Sequence, residues 1–483
     1  MKNNALLHAS ILGASLALAL PAFAQVGRRF PSEKKVVIDP VTGTPLTFLT
    51  STPAGDSKIY QTHPQWTADG KWLVFRSARA ANQAFAVNEE SGDIVQLTQD
   101  GYMGMLCNAR HSMKLYIMRN ASPDAGRGRE ARAAAQPAAA GTEPAARGAR
   151  GARGGGFNRP RGPFQIVEID LASLLSDSLA GTLQPEAPAS ARICGVTPPG
   201  MNAGGNMGLD ANEDYVYFSI TGADLGEHLP PDTKLDAPFG PRGMGAGPSG
   251  LASMNLKTGE VKLVTVVPFQ IGHVQTNPWV PGEIVFCWET GGKAPQRTWT
   301  VMSDGSGLRP LYPEAPYDWI THEAVITKDE VAIAILAHRS PDLKTDPWEY
   351  EGMHASTGEH PTGVGIVNLR THEMRIVGQV PMGNKGKSIW HVNGSADGRW
   401  ATADDFQYRL WIIDRHNGEM VLLADLGHKT TAQDHVHPTF NADGTEIEVQ
   451  TAMLSADNRS LNICIVPVPK TWLNRTYSEK APL

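Results

Sequence analysis

Short runs of alternating apolar and polar residues, four to eight long and rich in Val, Ile and Phe, recur along this chain between turn residues. HPQWTADGKWLVFRS (63–77), HVNGSADGRWATADD (391–405) and HPTFNADGTEIEVQT (437–451) share one layout: a His, a short strand, a turn ending in A-D-G, then a second strand. Weaker copies are CNARHSMKLYIMRN (107–120), MNAGGNMGLDANEDYVYFSIT (201–221), HVQTNPWVPGEIVFCWE (273–289) and HEAVITKDEVAIAILAH (322–338), which brings the set to seven. A second hairpin type follows most of them: 85–99, 253–266, 300–313, 365–379 and 411–425, each with a turn carrying Gly, Asn, Asp or Thr. Two hairpins make a four-stranded antiparallel blade, and seven such units predict an all-β, seven-bladed β-propeller.

Ring closure leaves its own trace. VVIDPVTGTPLTFLT (36–50) reads as a second hairpin with no first one before it, while after residue 451 only LNICIVPV (461–468) is a clear strand. An N-terminal strand is therefore expected to complete the last blade. Three long insertions, 121–162, 222–249 and 339–362, fall between second and third strands and should overhang the mouth where the innermost strands begin. The first is low-complexity and carries Arg127, Arg129, Arg132, Arg147, Arg150, Arg153, Arg159 and Arg161 against three acids. It reads either as a disordered loop or as a cationic lid that gathers a polyanionic substrate.

Residues 1–24 combine Lys2, an apolar stretch and AFA before Gln25, the pattern of a secretory signal peptide cut near Ala24. Residues 25–483 are then one propeller domain, expected in the periplasm or outside the cell, and no other run is long and apolar enough to span a bilayer. A net charge of -6 gives no reason to expect nucleic-acid binding. Cys107, Cys194, Cys287 and Cys464 are widely spaced, with no CxxC; a zinc site on them is not expected, and an oxidising compartment would permit a disulfide.

Candidate chemistry concentrates in histidine. Of fifteen, five open a blade: His63, His273, His322, His391 and His437, and His435 stands two residues before the last. His-Pro before an aromatic is generic to the repeat, so the His63 ring should only hydrogen-bond a neighbouring loop. On a strand, positions 435 and 437 share one face. With His391 on the neighbouring blade and the Gln433 amide they would form an N/O site for manganese, zinc, calcium or a similar divalent ion. Arg297, in QRTW, and His322, in THEA, begin strands that could reach the same channel. An Arg, a His and a metal together suit proton abstraction beside a carboxylate. HExxH and GxSxG are absent, GNKGKS (383–388) lacks the glycine of a phosphate loop, and no acid pair for glycoside hydrolysis stands out.

These residues resemble the oligogalacturonate lyases, seven-bladed propeller enzymes that cleave short pectic uronides by β-elimination with a divalent metal, typically manganese. The matching stretches run from the fourth blade to the end: IGHVQTNP, IVFCWETGG, QRTW with MSDGSG, THEA, WHVNGSADGRW and AQDHVHPTFNADG. The resemblance implies Arg297 as the catalytic arginine, His322 as the base, His391, Gln433, His435 and His437 as metal ligands, and an acidic oligosaccharide as substrate. It also draws His273 and Trp288 toward substrate contacts. Two departures stand out. Gln433 is one residue closer to the histidines than in the family string Gln-x-x-His-Pro-His-Pro, and Trp288 replaces a family histidine. The reading from another class is a non-catalytic periplasmic propeller that binds a glycan or protein at the same mouth.

Overall fold

The structure is a computed structural model that describes residues 25–80, 82–99, 102–121, 163–183, 190–238, 243–290, 294–315, 318–339, 353–354, 362–379, 389–427 and 435–477. Its strands form seven antiparallel sheets of four or five strands, each built almost wholly from consecutive strands. The sixth blade shows the plan: Ile389–Gly394, Trp400–Asp405, Arg409–Asp414 and Met420–Asp425, paired in that order. Each blade is covered on both faces by its neighbours, so its middle strands are not half-exposed. Every residue of Trp400–Asp405 and of Gly363–Asn368 is buried.

Packing between blades holds the ring. Ala324, Ile326 and Ala332 of the fifth blade pack with Ile389, Val392 and Ala401 of the sixth, and Leu410 and Ile412 of the sixth pack with Phe440, Ile447 and Val449 of the seventh. Each fully buried Leu, Ile or Phe contributes about 1.5–3 kcal/mol. The A-D-G turns have a local chemistry of their own. Asp397 Oδ1 accepts from the Ser395 hydroxyl at 2.7 Å and the Arg399 N–H at 3.0 Å, and Asp69 repeats this with Thr67 and Lys71. The glycine that follows sits at φ +69°, +78° and +72° in the three clear copies, a region costly to a residue with a Cβ.

Closure is by a hairpin. Thr439–Phe440, Glu446–Thr451 and Asn462–Pro467 are joined by Pro45–Phe48 as the fourth strand and Lys35–Ile38 as a fifth, with Thr47 opposite Ile465 and Phe48 opposite Cys464. Pro45–Phe48 is thus the N-terminal strand expected to complete the last blade, and the hairpin read at 36–50 adds Lys35–Ile38 outside it. Burial of Leu46 and Phe48 in the last blade's core locks the ring. Arg29–Phe30 adds a fifth strand to the first blade along Ile94–Gln96.

All three insertions lie between second and third strands, as expected. Most of 121–162 and of 339–362, like residues 1–24, where a signal peptide is expected, falls outside the described residues. Of 222–249 all but 239–242 is described, and at its returning end Gly245 donates to the Gln270 side chain at 3.2 Å, beside the start of the fourth blade. The four cysteines are buried and free, and no helix among the described residues is long and apolar enough to cross a membrane.

Candidate metal centre and active site

The innermost strands of the fourth, fifth and sixth blades each slip register near their first residues. Gly272 pairs with Cys287 but Gln275 with Val285; Ile320 pairs with Ile335 but Glu323 with Ile333; Ile389 pairs with Asp405 but Val392 with Ala403. Three steps on one strand against two on its partner make a β-bulge, which re-aims the side chains it carries. His273, His322 and His391 all lie inside these bulges.

The expectation that His435 and His437 share the face of a strand needs correcting. The strand begins only at Thr439, and His437 has a left-handed backbone at φ +50°, as has His273 at φ +46°. Such a backbone costs a residue with a Cβ about 1–3 kcal/mol. The rings converge nonetheless, by loop geometry rather than by alternation.

His391, His435 and His437 each offer a nitrogen within 4.8 Å of the others. Ring centroids are 4.1 Å apart for His391 and His437, and 5.4 Å for His391 and His435. His391 is fully buried, and its Nδ1 lies 2.8 and 3.0 Å from the two carboxylate oxygens of Asp404. The carboxylate also accepts the backbone N–H of His391 at 2.6 Å, and that of His437 at 3.4 Å. Acceptance by Asp404 assigns the hydrogen to Nδ1, so Nε2 carries the lone pair, and that buried Nε2 has no hydrogen-bond partner among the described residues. Burial holds all three imidazoles below their ordinary pKa, which keeps them neutral and able to ligate. Burial also pushes Asp404 up to about 7, against the backbone N–H bonds that favour its charge. Three neutral imidazoles, one with an orphaned buried nitrogen backed by a carboxylate, fit a divalent metal. Gln433 lies outside the described residues.

His322 stands beside this group, its ring centroid 4.2 Å from that of His391 and 5.6 Å from that of His273. Its Nδ1 is 2.6 Å from the Trp390 carbonyl oxygen, which can only accept. Nδ1 therefore carries the hydrogen and Nε2 the lone pair. Burial, then the neighbouring His391 and His273, holds its pKa well below the usual imidazole range.

Arg297 precedes the strand Thr298–Met302 and is only 2% exposed. Its backbone N–H and that of Thr298 donate to the Glu314 carboxylate at 2.8 and 2.9 Å, fixing the chain there. Its Nε donates to Glu323 Oε2 at 3.1 Å, and its Nη2 lies 3.1 Å from His273 Nδ1. His273 bonds Glu323 Oε1 through Nδ1 at 2.8 Å, while its Nε2 faces the Tyr60 hydroxyl at 3.4 Å. His273, Cys287 and Glu289 form a second group of possible ligands, but the Arg297 cation already borders it. Trp288 stacks on Phe269, centroids 4.8 Å apart, and gives its N–H to the Gly245 carbonyl at 2.9 Å. His63 is buried, and its Nε2 lies 2.6 Å from the Met207 carbonyl, which belongs to the strand Asn202–Leu209 of the third blade and not to a neighbouring loop.

Five neighbours escape a motif reading: Tyr60, Glu289, Glu323, Trp390 and Asp404. The Tyr60 ring lies 4.9 Å from His273 and 5.1 Å from His437, joining the two halves of the site from a segment outside the repeat. Asp404 did leave a signal, as one of two adjacent carboxylates at the end of the buried strand Trp400–Asp405. A cavity of about 750 Å³ lies at the other end of the channel, among the A-D-G turns, with Trp66, Arg110 and Trp279 in its wall. His391, His435 and His437 are not part of that wall.

No protein-family model matches the chain, and no curated protein does. Among solved structures, it is similar to an oligogalacturonate lyase in complex with manganese, at 15% identity and a TM-score of 0.65 over 93% of this chain and 100% of that one. It is equally similar to the oligogalacturonate lyase of Vibrio parahaemolyticus, at 15% identity and a TM-score of 0.64 over 92% of this chain and 100% of that one. Across nearly its whole length, the chain has the seven-bladed fold of the oligogalacturonate lyases.

Proposed function

We propose that this protein is a secreted or periplasmic, metal-dependent polysaccharide lyase that cleaves uronic-acid oligosaccharides, oligogalacturonides or a close relative, by β-elimination. The observation that carries the reading is His322. It presents an unprotonated Nε2 next to three converging imidazoles, one of which has a buried nitrogen with no partner among the described residues. A pure binding surface has no use for a neutral, tautomer-fixed imidazole beside a buried, lone-pair-bearing histidine nitrogen.

His391, His435 and His437 would hold the metal, which is Mn2+ by likeness to the manganese complex, with Gln433 as a further ligand. When bound, a divalent cation neutralises the uronate carboxylate and acidifies the adjacent C–H. His322 Nε2 takes that proton. The electron pair left on carbon forms the new ring double bond, and the glycosidic bond on the next carbon breaks. The leaving oxygen carries away the bonding pair and is protonated from solvent. Arg297, buried and charged, stabilises the negative charge that develops on the carboxylate. His273 and Tyr60 shape the wall between base and ligands, and Trp288 flanks the mouth from the fourth blade.

The test is a screen of uronic-acid polymers and oligomers for the ultraviolet absorbance of an unsaturated product. Absorbance rising with at least one of them supports a lyase. Saturable glycan binding with no such product from any of them would favour the non-catalytic propeller.

A further inference from the structure

We infer that Glu323 is a positioning residue that aims Arg297, so that the adjacent pair His322–Glu323 sets the spacing between the base and the arginine; this rests on the lyase reading above. Glu323 is fully buried, and both its carboxylate oxygens are in use, Oε1 on His273 at 2.8 Å and Oε2 on Arg297 Nε at 3.1 Å. It follows His322 directly at the edge of the fifth-blade bulge, so the two residues leave one short backbone segment toward different partners. That segment is fixed to the fourth blade: the Gln275 amide donates to the Glu323 carbonyl at 3.2 Å and accepts from the Val325 N–H at 2.9 Å.

The consequence for Arg297 is geometric. A guanidinium bonded through Nε to a fixed carboxylate cannot turn about its last single bond, so its two terminal nitrogens point one way. Arg297 is almost wholly covered, and its direction is set by what grips it. Among the described residues, Glu323 is the carboxylate that bonds this side chain. A misplacement of about 1 Å in such a group costs on the order of a hundredfold in rate.

Glu323→Asp keeps the charge but withdraws it by one methylene. Its kcat on an accepted uronide should fall about a hundredfold with KM changed less than threefold, while bound metal and Tm stay close to wild type. Because Glu323 acts through Arg297, adding Glu323→Asp to Arg297→Lys should cost less than a further threefold. A crystal structure of Glu323→Asp should show the guanidinium displaced, with the His322–Trp390 contact in place. Should Glu323→Asp fail to fold, the isosteric Glu323→Gln carries the same comparisons. Losses that multiply with Arg297→Lys, kcat within threefold of wild type, or an unmoved guanidinium would each overturn the inference. If the wild type gives no unsaturated product at all, the lyase reading fails, and the crystal structure alone still decides whether Glu323 holds Arg297.

Discussion

Asp404 grips His391 from behind: the imidazole Nδ1 lies 2.8 and 3.0 Å from the two carboxylate oxygens, and the opposite nitrogen, buried, has no partner among the described residues. A carboxylate in this place fixes the ring tautomer and raises its basicity. Asp404→Asn should therefore weaken metal binding by about 10- to 100-fold while the fold persists. Titration of the metal-free protein with Mn2+ checks this, and unchanged affinity would remove Asp404 from the centre.

His435 contributes one of the three converging nitrogens but, unlike His391, is only half-buried. Its replacement by Ala leaves the blade cores untouched. Bound metal, measured by elemental analysis, and turnover should fall together. A stoichiometric metal in His435→Ala would mean that the ligand set is drawn wrongly.

His322→Ala separates base from ligand. The ring is held by the Trp390 carbonyl and is not needed for the three-histidine group. Turnover should drop by about 10²–10⁴-fold, the usual worth of a positioned general base, with metal content retained. Activity within tenfold of wild type would show that the proton goes elsewhere.

Much of this was legible in the sequence, for identifiable reasons. The A-D-G turns announce the repeat because the turn needs an Asp to cap it and a Gly at positive φ, and these needs recur in every clear copy. His391 and His437 could be found because they occupy the repeat's own first position. What alternation could not supply was the aim of the side chains. His273, His322 and His391 sit in bulges, and nothing in IGHV, THEA or WHVN marks the slipped register that turns them inward. His435 and His437 do converge with His391, but not as the shared face of a strand, since the strand begins only at Thr439. Tyr60 was invisible because it belongs to no repeat, and Glu323 because a buried acid shows itself only with its partners in place.

A stability prediction comes from the buried pair Lys58 and Glu448, whose charged ends lie 3.6 Å apart with both side chains fully covered. Burial drives Glu448 up to about 7 and Lys58 down to about 8. For Glu448, the folded chain holds a proton that the unfolded chain has released, so stability present below the ordinary carboxyl range is lost as pH rises through about 7. For Lys58 the sense is opposite: stability present at high pH is lost as pH falls through about 8. Glu448→Gln should remove the first limb. Denaturant unfolding across pH would show wild type losing stability relative to this variant between about pH 4.5 and 7. A constant difference over that range would contradict the assignment.

The most direct test of the central claim is reversible turnover on one sample. Protein freed of metal by a chelator is mixed with the uronide that it accepts, and ultraviolet absorbance is followed before and after Mn2+ is added. Unsaturated product should be absent before the addition, appear after it, and remain absent in His322→Ala given the same Mn2+. Product at full rate in the metal-free protein, or a protein that binds Mn2+ through its histidines yet yields no unsaturated product from any uronide, would contradict it.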